Sequence, residues 1–209
     1  LFLTDSTIAN LLDRCPSIGL NVSVDASTPE SFGLLRAQPG SSQSAQRALF
    51  KRVTYGLRAA SGAGLSVSAN TTITKATANE IDQTYELVVG QLGAESLVGI
   101  KFFPAGYGRE HLDLYDFTWP EWAEYFSALT LRKISGEMPL MQLSIPSAWE
   151  FYLPLIRSSI DIEQAEAAWR YRSPLREAAY SRVRSVGDVA GYAEICISGN
   201  GTAYPTVLM

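Results

Sequence analysis

The sequence predicts an all-β fold: a two-sheet antiparallel jelly-roll β-sandwich with short helices in its connections. Three observations lead there. Apolar residues recur mainly at a period of two, the spacing of a strand with one face on a core. Helical spacing is confined to brief stretches between those runs. The 209 residues hold no internal repeat, low-complexity tract or Pro/Gly/Ser linker, so residues 1–209 read as one domain.

From the N-terminus, Ile8, Leu11 and Leu12 mark a short helix. Leu20, Val22 and Val24 then alternate with Asn21, Ser23 and Asp25 as a first strand. Ala45, Ala48 and Leu49 repeat at helical spacing. Tyr55, Leu57 and Ala59, followed after Gly62-Ala63-Gly64 by Leu65, Val67 and Ala69, predict a strand that bends at the glycines. Val98, Ile100 and Phe102 form another, closed by Pro104.

Thr118-Trp119-Pro120-Glu121 has the form of a capping box, opening a helix whose Trp119, Trp122, Ala123 and Phe126 share a face. Met141, Leu143 and Ile145 alternate as a strand before Pro146, and Phe151, Leu153 and Leu155 form the next. Ile162, Ala165, Ala168 and Trp169 lie at helical spacing inside a long exposed connection, residues 158–178. Val189, Gly191, Ala193, Ile195 and Ile197 define the last strand.

Composition narrows the function. With 46% hydrophobic and 18% charged residues the chain forms a core rather than a disordered tract. A net charge of -4 argues against gripping a phosphate backbone. No apolar run reaches the roughly 18 residues a membrane span needs. The chain opens on Leu1 rather than Met, which fits an N-terminal arm or release from a larger precursor.

Catalytic constellations are hard to build. His111 is the single histidine, with Glu110 and Asp113 nearby, and no G-x-S-x-G elbow is present. Cys15 and Cys196 are either a disulfide or two free thiols, and with one histidine they cannot make a zinc shell of standard spacing. Asp161, Glu163 and Glu166 read as dipole complementation at a helix start. Arg170, Arg172 and Arg176, with Arg182 and Arg184, are candidates for a subunit-contact or polyanion-contact surface. Sequons at Asn21, Asn70 and Asn200 would be glycan sites in a secreted protein. No catalytic, metal or cofactor residue is assigned.

The order of segments resembles that of picornavirus capsid proteins. Thr4 to Ile18, a helix with Arg14 before a first strand, is similar to the entry of their jelly roll. Ala48 to Leu57 resembles the helix with a Thr-Tyr strand start, and Val98 to Gly106 the strand ending in a Pro-Pro-Gly turn. Trp119 to Phe126, Met138 to Pro146 and Ala203-Tyr204-Pro205 follow in that family's order, most like its largest member around the five-fold axis.

The resemblance implies a structural protein of a non-enveloped positive-strand RNA virus, in the virion and in the host cytoplasm during assembly. It would join sister capsid proteins in a protomer and pentamer, enclose genomic RNA without sequence-specific contacts, and meet a host receptor through residues 158–178. Ile100, Phe102, Met141, Leu143 and Phe151 would border an apolar pocket, closed or filled by a lipid. The other expectations are a secreted jelly-roll binding module of lectin or cytokine-like type, and a β-sandwich hydrolase built on His111.

Overall fold

The computed structural model describes residues 3–15, 17–36, 40–104, 106–170, 196–197 and 203–204. It overturns the jelly roll. Helix makes up 58% of the described chain, and the main sheet has four strands in the order β1-β2-β3-β4, with parallel pairing from β1 to β3. This is an α/β arrangement. Two compact units are present: residues 1–102 with 138–143, and residues 103–137 with 144–209.

In the first unit, α1 (Asp5–Arg14) leads into β1 (Gly19–Ser23), followed by α2 (Pro29–Arg36), α3 (Gln43–Gly62) and β2 (Ser66–Ile73). Then α4 (Ile81–Tyr85) runs on as a π-helical stretch, Glu86–Gln91, into β3 (Ser96–Lys101). The strand β4 (Met141–Ser144) lies beside β3.

The four strand positions were legible; their direction was not. Alternation reports a half-buried strand whichever way its neighbour runs. Direction is set by the connections, and the connections are helices.

The largest misreading is α3. Tyr55, Leu57 and Ala59 alternate, yet the residues the helix buries are Gly56, Leu57 and Ala60, and Ser42 caps its start by accepting from Ala45 N–H. The glycines expected to bend a strand end this helix instead. Gly64 has φ +88°, its N–H donates to the Ser61 carbonyl, and Leu65 N–H donates to the Ala60 carbonyl. That is a Schellman closure, whose left-handed residue favours glycine. The helical run from α4 through the π-helical stretch went unread because Ile81, Thr84, Val88 and Leu92 bury a narrow stripe that includes a threonine.

Burial along β2 alternates strictly. Val67, Ala69, Thr71 and Ile73 are buried, whereas Ser66, Ser68, Asn70 and Thr72 are half-buried. The parallel steps from β1 to β2 and from β2 to β3 put the connecting helices of this unit on one face of the sheet. Gly99 belongs to that sealed face: a Cβ there would lie 2.7 Å from Ile73 and 3.0 Å from both Met141 and Leu143.

The second unit is helical in its described core: α5 (Leu112–Tyr115), α6 (Trp119–Ile134), α7 (Ala148–Arg157) and α8 (Ile162–Trp169). The expected helix at Trp119 is present, with the Glu121 carboxylate accepting from Thr118 N–H and Oγ1, both at 2.8 Å. The strand expected at Phe151, Leu153 and Leu155 is α7.

Pro154 inside α7 has no N–H for the Glu150 carbonyl, and the indole of Trp122 donates to that carbonyl at 2.9 Å. Phe126 stacks on Trp122 and packs on Phe151, with centroids 5.4 and 5.2 Å apart. The connection 158–178 holds α8 rather than an open loop, and its residues 171–178 lie outside the described residues. Of the last expected strand, 189–195 lie outside them too, while β5 (Cys196–Ile197) pairs antiparallel with β6 (Ala203–Tyr204).

Candidate functional site

In parallel α/β sheets, ligands gather at the carboxyl ends of the strands. Here β1 ends in Val24-Asp25-Ala26, all buried. Thr28 then starts α2, its Oγ1 accepting from Ser31 N–H and its carbonyl from Phe32 N–H, with Pro29 in the first helical position. The short strand-to-helix turn brings the end of α2 back toward the end of β1.

Asp25 is the pivot. Its Oδ1 accepts from the backbone N–H of Thr72 at 2.7 Å, replacing the carbonyl that β1 would have offered next along the ladder. Its Oδ2 accepts from Arg36 Nε. The Asp25 side chain is 1% exposed and that of Arg36 43%. A buried carboxylate therefore fixes a guanidinium whose far edge meets solvent, and neither Nη nitrogen has a partner among the described residues.

The surrounding loops are tied together. Glu80 accepts from Ser27 Oγ at 3.0 Å and from Ser31 Oγ, joining the loop after β1 to the loop after β2. Buried Thr74 and Thr77 share a 2.9 Å hydroxyl contact. Lys101 is buried at the end of β3, opposite Ile73. The sheet face away from the crossover helices carries Asn21, Ser23, Ser68, Asn70 and Thr72 in adjoining registers, a lining of amides and hydroxyls. Such a surface offers donors and acceptors without a formal charge.

Two of the residues expected to line an apolar pocket are brought together in the first unit. Met141 and Leu143 sit together against Gly99, Ile100 lies on the other face of β3, Phe102 follows β3 buried, and Phe151 belongs to the core of the second unit. Arg170 is exposed at the end of α8, and Arg172 and Arg176 lie outside the described residues. His111 packs edge-on against Tyr115, with centroids 6.1 Å apart.

Asp161 caps α8 by accepting from Gln164 N–H, and Glu166 accepts from Tyr152 OH, so both serve the helices. Cys15 is an exposed free thiol. Asn21 is exposed on β1, Asn70 half-buried in β2, and Asn200 lies outside the described residues. Among the described residues no group of three His, Cys, Asp or Glu could hold a metal ion, and no helix is long and apolar enough to cross a membrane.

Asp25, Arg36 and Thr72 were missed by sequence reasoning. A signal existed: a strand ending in Asp, followed within three residues by Thr28-Pro29-Glu30, is the junction of a strand with a capped helix, as a parallel unit requires. No protein-family model matches the chain, and no curated protein matches it either. The jelly roll that the capsid resemblance implied is absent from the fold.

Proposed function

We propose that the chain binds a small polar ligand carrying an anionic group, carboxylate or phosphate, at the carboxyl ends of β1 and β2. The observation that carries this reading is the Arg36 guanidinium, held through Nε by buried Asp25 and open at its Nη edge. Arginine presents a planar fork that matches a carboxylate or phosphate in two parallel hydrogen bonds, and holding the fork beforehand lowers the entropy lost on binding. The remainder of the ligand would lie along Ser23, Asn70 and Thr72, which exchange hydrogen bonds with hydroxyl and amide groups.

A thermal-shift screen of amino acids, hydroxy acids and phosphorylated sugars tests it. Stabilisation by a subset of anionic members, absent for their neutral amides or alcohols and absent in Arg36→Met, supports the reading. A hit that stabilises Arg36→Met as much as the unaltered chain contradicts it.

A further inference from the structure

The segment that carries Arg36 also holds a charge of the opposite sign, which the fold does not neutralise. Glu80 ends a short turn of helix after β2, Ala78–Glu80. Its Oε2 accepts from Ser27 Oγ at 3.0 Å and its Oε1 from Ser31 Oγ. Both donors are neutral hydroxyls, and among the described residues no lysine, arginine or histidine pairs with this carboxylate. A carboxylate presents about four lone-pair sites, so roughly two stay open to a further donor. Glu80 is half-buried, where an opposite charge is worth more than it is in open water.

The anchors of the two charges are close along the chain. Asp25 holds Arg36 and Ser27 holds Glu80, and two residues of chain reach at most about 7 Å. On α2, Ser31 and Arg36 are separated by roughly 7.5 Å of axial rise. A fixed cation and a fixed anion are thus anchored within the span of one small molecule.

We infer, building on the Arg36 reading, that the ligand of this site is a small zwitterion, with its anionic group on the Nη edge of Arg36 and an ammonium on Glu80. An amino acid is the simplest member of that class. The two serines orient the carboxylate beforehand, which lowers the entropy lost on binding. An ammonium brings a full charge and three donors to it, whereas a hydroxyl in the same place brings one neutral donor. Glu80 therefore selects amine-bearing anions over their hydroxyl counterparts.

The test is calorimetric titration of three ligand pairs into the full chain: L-aspartate and L-malate, L-alanine and L-lactate, phosphoethanolamine and 2-hydroxyethyl phosphate. Within each pair only an ammonium is exchanged for a hydroxyl. In the pair that binds, the amine member should be tighter by about tenfold or more. In Glu80→Gln the two members should bind within about twofold of each other, with the hydroxyl member as tight as before. Ser27→Ala keeps the carboxylate and should keep the preference.

Equal binding of both members of a pair by the unaltered chain overturns the inference, and that measurement needs no variant. So does a preference that survives Glu80→Gln, which would assign the carboxylate to joining the two loops and nothing more. If both members bind equally and both are lost in Arg36→Met, the Arg36 reading stands and only the zwitterion falls. Binding of no member removes both.

Discussion

The two units bury their side chains in opposite styles. The sheet unit closes one face with small and aliphatic residues, Val67, Ala69, Leu97 and Ile73, and leaves hydroxyls and amides on the other. The helical unit closes on aromatic rings, with Trp122, Phe126, Phe151 and Trp169 in mutual contact through Phe126. Its polar groups are spent on structure: the Trp169 indole donates to Thr130 Oγ1 at 3.1 Å, and Ser127 Oγ donates to the Pro154 carbonyl at 3.2 Å. The difference teaches where ligand chemistry resides. In the sheet unit an arginine is fixed with one edge open, whereas the helical unit directs the indoles of Trp122 and Trp169 and the hydroxyls of Ser127 and Tyr152 to its own carbonyls and side chains.

The comparison breaks hardest at the aromatic core. Phe126→Ala, at a fully buried ring, should cost about 3–5 kcal/mol, measured by urea unfolding, and should leave ligand stabilisation of the sheet unit unchanged wherever the chain is folded. Asp25→Ala comes next. It removes the acceptor for Thr72 N–H and the anchor of Arg36, so it should cost about 1–3 kcal/mol and weaken anion binding as well. A stability loss without a binding loss would detach Asp25 from the site.

Lys133 sharpens the contrast through pH. It is buried on α6, its Nζ lies 5.5 Å from the Trp169 ring centroid, and desolvation pushes its pKa from 10.5 down to about 8. Between pH 8 and 10.5 the unfolded chain keeps a proton that the folded chain has released. Stability attributable to Lys133 therefore rises with pH across that window, and below pH 8 the folded chain carries the desolvation cost in full. Lys133→Met should flatten the rise, as read from Tm measured against pH.

The smallest effect is at Ser159, whose φ of 53° closes α7 in the way that Gly64 closes α3. Ile160 N–H donates to the Leu155 carbonyl across this turn. Ser159→Gly should stabilise by about 0.5–1 kcal/mol in the same unfolding assay. Destabilisation would show that the serine side chain contributes more than its backbone conformation costs.

Much of the fold was present in the sequence at the level of single elements. The strands at 20–24, 65–69, 98–102 and 141–145 are all found within a few residues, as are the helices at Ile8 and Trp119. What misled was the period itself in short windows. Leu57 and Ala60 belong to a helical stripe, but Tyr55-Leu57-Ala59 satisfies alternation over five residues. Likewise Phe151 and Leu155 lie one helical turn apart, with Leu153 exposed between them.

The glycines at 62 and 64 fit both a bend and a cap, and only the helix before them decides between the two. Antiparallel and parallel strands share their alternation, so the sheet's direction depended on recognising α3 and α4 as crossovers. The site was legible only as a junction: Asp25 reads as the polar partner of a half-buried strand until the fold carries Arg36 back to it.

The measurement that bears most directly on the central claim is calorimetric titration of the best anionic hit into the unaltered chain, Arg36→Lys and Arg36→Met. A fixed bidentate arginine predicts affinity falling by about tenfold or more in both variants, because a lysine ammonium cannot reproduce the fork, while Tm without ligand stays close to that of the unaltered chain. Equal affinity in all three proteins would contradict the account.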